Sequence, residues 1–93
     1  MNKCLRITFS ASVPEGFLHD FIQKNAKKLN LEGVVQMVPV ENKIRVIVCG
    51  HKDQVDAFVD ILHKGKGKTL LEQIEIEPFL KDKDYRGVFR VIE

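Results

Sequence analysis

Three short stretches of this chain hold side chains with chemical potential. Cys49 and His51 stand two apart, with His63 further along, and thiolate and imidazole are ligands that zinc favours. A closed zinc site needs paired short spacings, which Cys-x-His and one distant histidine do not supply, so no metal is expected. A Cys–His nucleophile needs a base that lowers the thiol pKa and donors for an oxyanion, and no spacing around Cys4 or Cys49 provides either. The run His63-Lys64-Gly65-Lys66-Gly67-Lys68-Thr69 ends like a nucleotide-binding phosphate loop, yet Leu62 stands where the first glycine belongs. That loop must also follow a strand and open a helix, whereas here it follows a helical pattern. A solvated connector is expected at Gly65 to Lys68, and no nucleotide cofactor. Arg86-Gly87-Val88-Phe89-Arg90-Val91 has the basic and glycine part of an RNA-recognition strand. Val88, Arg90 and Glu93 occupy the positions where that strand carries stacking rings, so no nucleic-acid partner is expected.

These residues must be held by a single small domain. The chain has 93 residues, 44% hydrophobic and 30% charged, enough apolar material for one core and too little length for two. Its formal net charge of +2 names no partner. The longest apolar runs, such as Val46-Ile47-Val48-Cys49, are far short of the ~20 residues of a membrane span. Arg6 and Thr8 interrupt what would be the apolar part of a signal peptide. The expectation is a cytoplasmic protein with no membrane partner, whose two cysteines, Cys4 and Cys49, remain thiols.

Alternation of Leu5, Ile7 and Phe9 with polar neighbours predicts a first strand over 3–9. Phe17, Leu18, Phe21, Ile22, Ala26 and Leu29 recur at helical spacing and predict a helix over 17–29. A β-branched second strand follows over 34–40, with Pro39 suggesting an edge. Ile44, Val46 and Val48 mark a third strand, central because Ile47 makes its second face apolar too. Val55, Phe58, Val59 and Leu62 mark a second helix, with Asp53 favouring its start and Gly65 its end. Ile74 and Ile76 give a fourth strand, and 88–92 a short last one.

The order βαββαβ plus a terminal strand is the split βαβ, or ferredoxin-like, arrangement, an α+β sandwich with both helices on one face of an antiparallel sheet. One domain over 1–93 is expected. Leu5, Ile7, Phe9, Ile44, Val46 and Val48 from the sheet should meet Phe21, Ile22, Phe58 and Leu62 from the helices. Cys4, Arg6, Arg45, Ile47 and Met37 are assigned to the open face, and the lysines Lys81 and Lys83 should discourage edge pairing.

As a whole the chain resembles the acylphosphatase family, whose members hydrolyse the carboxyl–phosphate bond of acyl phosphates. Val13-Pro14-Glu15-Gly16-Phe17-Leu18-His19 stands where the family has Val-Gln-Gly-Val-x-Phe-Arg. The stretch from Ala26 through Gly33 to Met37 is similar to the family's Ala-x-x-x-Gly-x-x-Gly-Trp-Val-x-Asn, and Val48-Cys49-Gly50 precedes a Val- and Phe-bearing helix as in the family. The resemblance implies that Val13, Pro14, Glu15, Gly16, Phe17 and Leu18 form the phosphate loop. It further implies that His19 occupies the place of the phosphate-holding Arg, and Met37 that of the water-positioning Asn.

Those replacements matter because water attack on an acyl phosphate builds negative charge that fixed donors must meet. An imidazole lacks the always-charged fork of guanidinium, and a thioether donates nothing to water. Pro14 has no N–H to offer, and the carboxylate of Glu15 repels a dianion. The expected function is therefore a non-catalytic module that binds a small ligand or a protein, as a monomer or weak homodimer. Two alternatives stand beside it: an atypical acylphosphatase that uses His19, and a small-molecule-sensing regulatory domain.

Overall fold

The computed structural model describes residues 2–13, 16–65, 71–78 and 87–92. Its elements are strand β1 (Asn2–Ser10), helix α1 (18–28), strands β2 (Glu32–Val38) and β3 (Lys43–His51), helix α2 (Lys52–Lys64), and strands β4 (Glu75–Pro78) and β5 (Phe89–Ile92). The sheet order is β4-β1-β3-β2-β5. All pairs are antiparallel except β2 with β5, which is parallel. This is the ferredoxin-like α+β sandwich with a fifth strand added beyond β2.

Register shows why the hydrophobic pattern works. Ile7, Val46 and Val35 share one row across β1, β3 and β2, and all three are fully buried. Phe21, Ile22 and Ala26 of α1 and Val55, Phe58 and Leu62 of α2 close over that face. All ten residues expected in the core are buried. Each large apolar side chain removed from water contributes ~1.5–3 kcal/mol. The core also takes Phe17, Leu31 and Phe89, with the Phe89 ring edge-on to Phe58 at 6.3 Å.

Several boundaries and assignments differ from the sequence pattern. The second strand starts earlier and ends at Val38, and Pro39 opens a 3₁₀ turn, Pro39–Glu41. Pro39 therefore signals the end of the strand rather than an edge, and β2 is interior, flanked by β3 and β5. Asn42, with φ 52°, then returns the chain into β3. Helix α1 begins as a π-helix, Leu18–Gln23, and becomes α-helical over Lys24–Lys28. The Asn25 side-chain amide donates to the Phe21 carbonyl at 2.7 Å, the kind of side-chain insertion that loosens the regular ladder. At α2 the N-cap is His51, whose Nδ1 accepts the Asp53 N–H at 3.2 Å. Asp53 lies within the first turn, and Gly65 is the C-cap at φ 74°.

The cysteines correct the expectation of free thiols. Cys4 and Cys49 are direct partners across β1 and β3, with Cα atoms 4.2 Å apart, and they form a disulfide. The closeness is that of a non-hydrogen-bonded antiparallel pair, where opposite side chains approach most nearly. A sequence separation of 45 residues hides this neighbourhood from a linear reading.

Near this pair, Asp56 of α2 accepts from Lys3 of β1 at 3.0 Å and from Lys52 at 2.9 Å. The bond from Lys52, followed by that from Lys3, holds the Asp56 carboxyl below the usual carboxylate range. The same bond raises the Lys52 ammonium. Residues 66–70, which include most of the Gly65 to Lys68 connector, and the lysines Lys81 and Lys83 lie outside the described residues, as does Arg86.

Candidate functional site

The connection from β1 to α1 is anchored on both sides. Ser10 N–H donates to the Glu72 carbonyl at 2.9 Å and Ala11 N–H to the Asn42 carbonyl at 3.1 Å, which fixes the exit from β1. Val13 packs against the core and its N–H turns back to Ala11. Pro14 and Glu15 lie outside the described residues. Gly16 adopts φ +80°, a conformation glycine reaches without Cβ strain. Its carbonyl accepts the Asp20 N–H at 2.8 Å. Phe17 is buried with its ring tilted against that of Phe21, centroids 4.9 Å apart, while Leu18 packs partly buried against the core. The two rings act as the bolt that holds the start of α1 to the sandwich.

That arrangement leaves His19 exposed on the outer side of the first turn. His19 Nδ1 lies 3.3 Å from Gln23 Oε1, and Gln23 Nε2 donates to the Phe89 carbonyl of β5 at 3.1 Å. His19, Asp20, Gln23, Lys24 and Lys27 line an open groove of about 520 Å³ along α1. His19, Gln23 and Lys27 follow one another at intervals of four, a spacing present in the sequence that could have singled out Gln23 and Lys27.

Met37 is displaced from the face expected of it. It is opposite Ile44, which is opposite Phe9, so all three belong to the helix-bearing face. Met37 is nonetheless 44% exposed, because it stands near the end of β2. Strands β1 and β2 are both antiparallel to β3, so their C-terminal ends lie together. Topology thus brings Met37 and the loop that leaves Ser10 to one end of one face. His19 lines the groove on α1, and Met37 is not among the residues that line it.

The candidate metal ligands are dispersed. Cys49 is in the disulfide, His51 caps α2, and His63 sits in the last turn of that helix. Among the described residues no group of three His, Cys, Asp or Glu could hold a metal ion. Phe89 is buried in the core, so it is not a ring on which a base could stack.

A five-stranded ferredoxin-like sandwich with a β1–α1 loop at the parallel ends of β1 and β2 defines a class of small α+β domains. Within that class, the acylphosphatase family model matches residues 6–91, and the chain belongs to the acylphosphatase family. An acylphosphatase of Methanococcoides burtonii is 30% identical over 78% of this chain and 75% of its own length. One of Caldivirga maquilingensis is 27% identical over 72% of this chain and 70% of its own. The solved acylphosphatase of Coxiella burnetii superposes with a TM-score of 0.80 at 24% identity, covering 98% of this chain and 93% of that one, and supports the fold.

Proposed function

We propose that this acylphosphatase-family domain binds a small ligand at the end of the sheet without the acyl-phosphate hydrolysis of its relatives. One observation carries the reading: the two polar roles implied by the family resemblance fall on His19 and Met37. A thioether that is exposed at the end of β2 offers water no hydrogen bond, and a single imidazole is a weaker clamp for a phosphoryl group than a guanidinium fork. Within the phosphate-loop equivalent, Val13 to Leu18, Phe17 is buried against Phe21 and holds the start of α1 to the core, which supports a binding role for this end of the domain.

A second reading has its own support. The relatives at 27% and 30% identity are named acylphosphatases, which favours an atypical hydrolase in which protonated His19 holds the phosphate. Hydrolysis of benzoyl phosphate across pH separates the two. Background rates in the native protein, with activity gained in the double variant His19→Arg, Met37→Asn, support the binding module. Turnover far above background that is lost in His19→Ala would establish the enzyme instead.

The proposal includes a single domain over 1–93, a monomer or weak homodimer, and no nucleic acid, membrane or cofactor partner. Among the described residues no helix is long and apolar enough to cross a membrane. A solution mass measurement tests the oligomeric state. The cytoplasmic assignment is tested by alkylating cells before lysis: the Cys4–Cys49 bridge speaks against it, and free thiols in the trapped protein would support it.

A further inference from the structure

The second half of α1 gathers positive charge that nothing nearby answers. Lys24, Lys27 and Lys28 are exposed on its α-helical part, and at intervals of three and four their side chains are neighbours on the helix surface. Among the described residues none of the three is in an ion pair. By contrast, Lys3 and Lys52 both reach Asp56, at 3.0 and 2.9 Å, and Lys43 reaches Glu75 at 3.6 Å. Asp20 is the one acidic residue of α1 and stands four residues before Lys24, the spacing at which Lys52 and Asp56 do pair. It forms no such pair with Lys24. Its carboxylate lies towards the loop instead, with Oδ2 3.0 Å from where a Cβ on Gly16 would stand. The open groove of about 520 Å³ along α1 thus sets the ammonium groups of Lys24 and Lys27 against a single carboxylate, near its N-terminal end.

We propose that this face of α1 docks an acidic, extended segment of a partner protein. Charge complementarity selects the partner: carboxylates supply what the cluster lacks and relieve the repulsion between neighbouring ammonium groups. The spacing fits as well. Lys24 and Lys28 are about 6 Å apart along the helix axis, and alternate side chains of an extended strand recur every ~6.6 Å. Acidic residues two apart in the segment therefore reach Lys24 and Lys28 together, with Lys27 beside them. A nucleic acid is the other polyanion to weigh, and two observations disfavour it. The net charge of the chain is only +2, whereas a nucleic-acid surface carries a broad basic footprint. Phe89, the ring of the neighbouring strand β5, is buried and offers no stacking face. The inference goes beyond the ligand reading of the β1–α1 loop and does not depend on it.

Titration with a fluorescein-labelled hexaglutamate peptide tests the docking, with anisotropy reading the affinity and ¹⁵N amide shifts reading the place. Shifts in the native protein should cluster on residues 23–28, and added salt should weaken the binding. The double reversal Lys24→Glu, Lys27→Glu should raise the Kd by at least about 10-fold. Lys64→Glu, which reverses an exposed lysine at the end of α2, should change it by less than about 2-fold at ordinary ionic strength. Three results would overturn the proposal: no shift on α1 at millimolar peptide, an equal loss of affinity in Lys64→Glu, or a hexathymidylate that binds as tightly as the peptide. The first and the third are read on the native protein alone, so neither waits on a variant that folds. No acyl phosphate enters these measurements, and their failure is therefore distinct from failure of the site reading, which the benzoyl phosphate assay tests.

Discussion

The carbonyl of Ile47 on β3 occupies the space that a side chain on Gly33 of β2 would need. A Cβ built on Gly33 collides with that carbonyl, and Gly33 holds φ +148°, a backbone conformation that strains an L side chain. The Gly33 N–H is also engaged with the Val88 carbonyl at 2.9 Å, which ties β2 to the start of β5. Gly33→Ala should therefore destabilise the fold by about 3 kcal/mol, combining backbone strain with overpacking. Urea unfolding is the check, and a change below ~1 kcal/mol would contradict the close approach.

Reduction of the Cys4–Cys49 bridge, or the pair Cys4→Ser, Cys49→Ser, should lower stability. With a separation of 45 residues, the chain-entropy estimate for the lost crosslink is ~4 kcal/mol. Comparing unfolding midpoints with and without reductant measures it. The sheet should stay folded, since the rows on both sides of the bridge are intact.

Asp56 sets the expected response to acid. Its carboxyl is held low by Lys52 and Lys3, so its folded-state pKa lies below that of the unfolded chain. Such a group stabilises the fold at pH above its unfolded value and ceases to do so as pH falls through the folded value. The gap in melting temperature between the native protein and Asp56→Asn should be open at neutral pH and close in acid. High salt should narrow it too, because all three side chains are exposed to solvent.

His51 caps α2 through a nitrogen that accepts the Asp53 N–H. His51→Ala should cost ~1 kcal/mol, the usual value of a lost N-cap, and His51→Asn should restore most of it. Chemical denaturation of the two variants side by side decides the point.

At the proposed site, His19→Arg and Met37→Asn should be strongly non-additive in benzoyl phosphate hydrolysis. One residue would hold the phosphoryl oxygens and the other would orient water, and neither acts alone. Each single change should stay within ~10-fold of background, with a gain of at least ~10² reserved for the pair, on the scale of a restored oxyanion donor.

Much of this was legible in the chain itself. Period-two runs from Leu5 to Phe9 and from Ile44 to Val48, with helical spacing through Phe21 and Phe58, report directly which side of each element meets the core. Boundaries were less legible where a signal had two meanings. Pro39 ends a strand as readily as it marks an edge, and only the parallel pairing of β5 shows which applies. Likewise Cys4 and Cys49 have no local signature of their bond, because register alone makes them neighbours.

The sequence by itself determined the elements, the core and the identities of His19 and Met37 at the two sites of interest, since side-chain type and short-range period are properties of the chain. The tertiary structure decided what those residues meet. Strand pairing joined Cys4 to Cys49 and turned Met37 to the helix-bearing face. The packing of α1 beside β5 placed a carbonyl from residue 89 within reach of the Gln23 amide, whose other end meets His19. Such contacts depend on groups far apart in sequence arriving within about 3 Å, and no local pattern encodes that arrival.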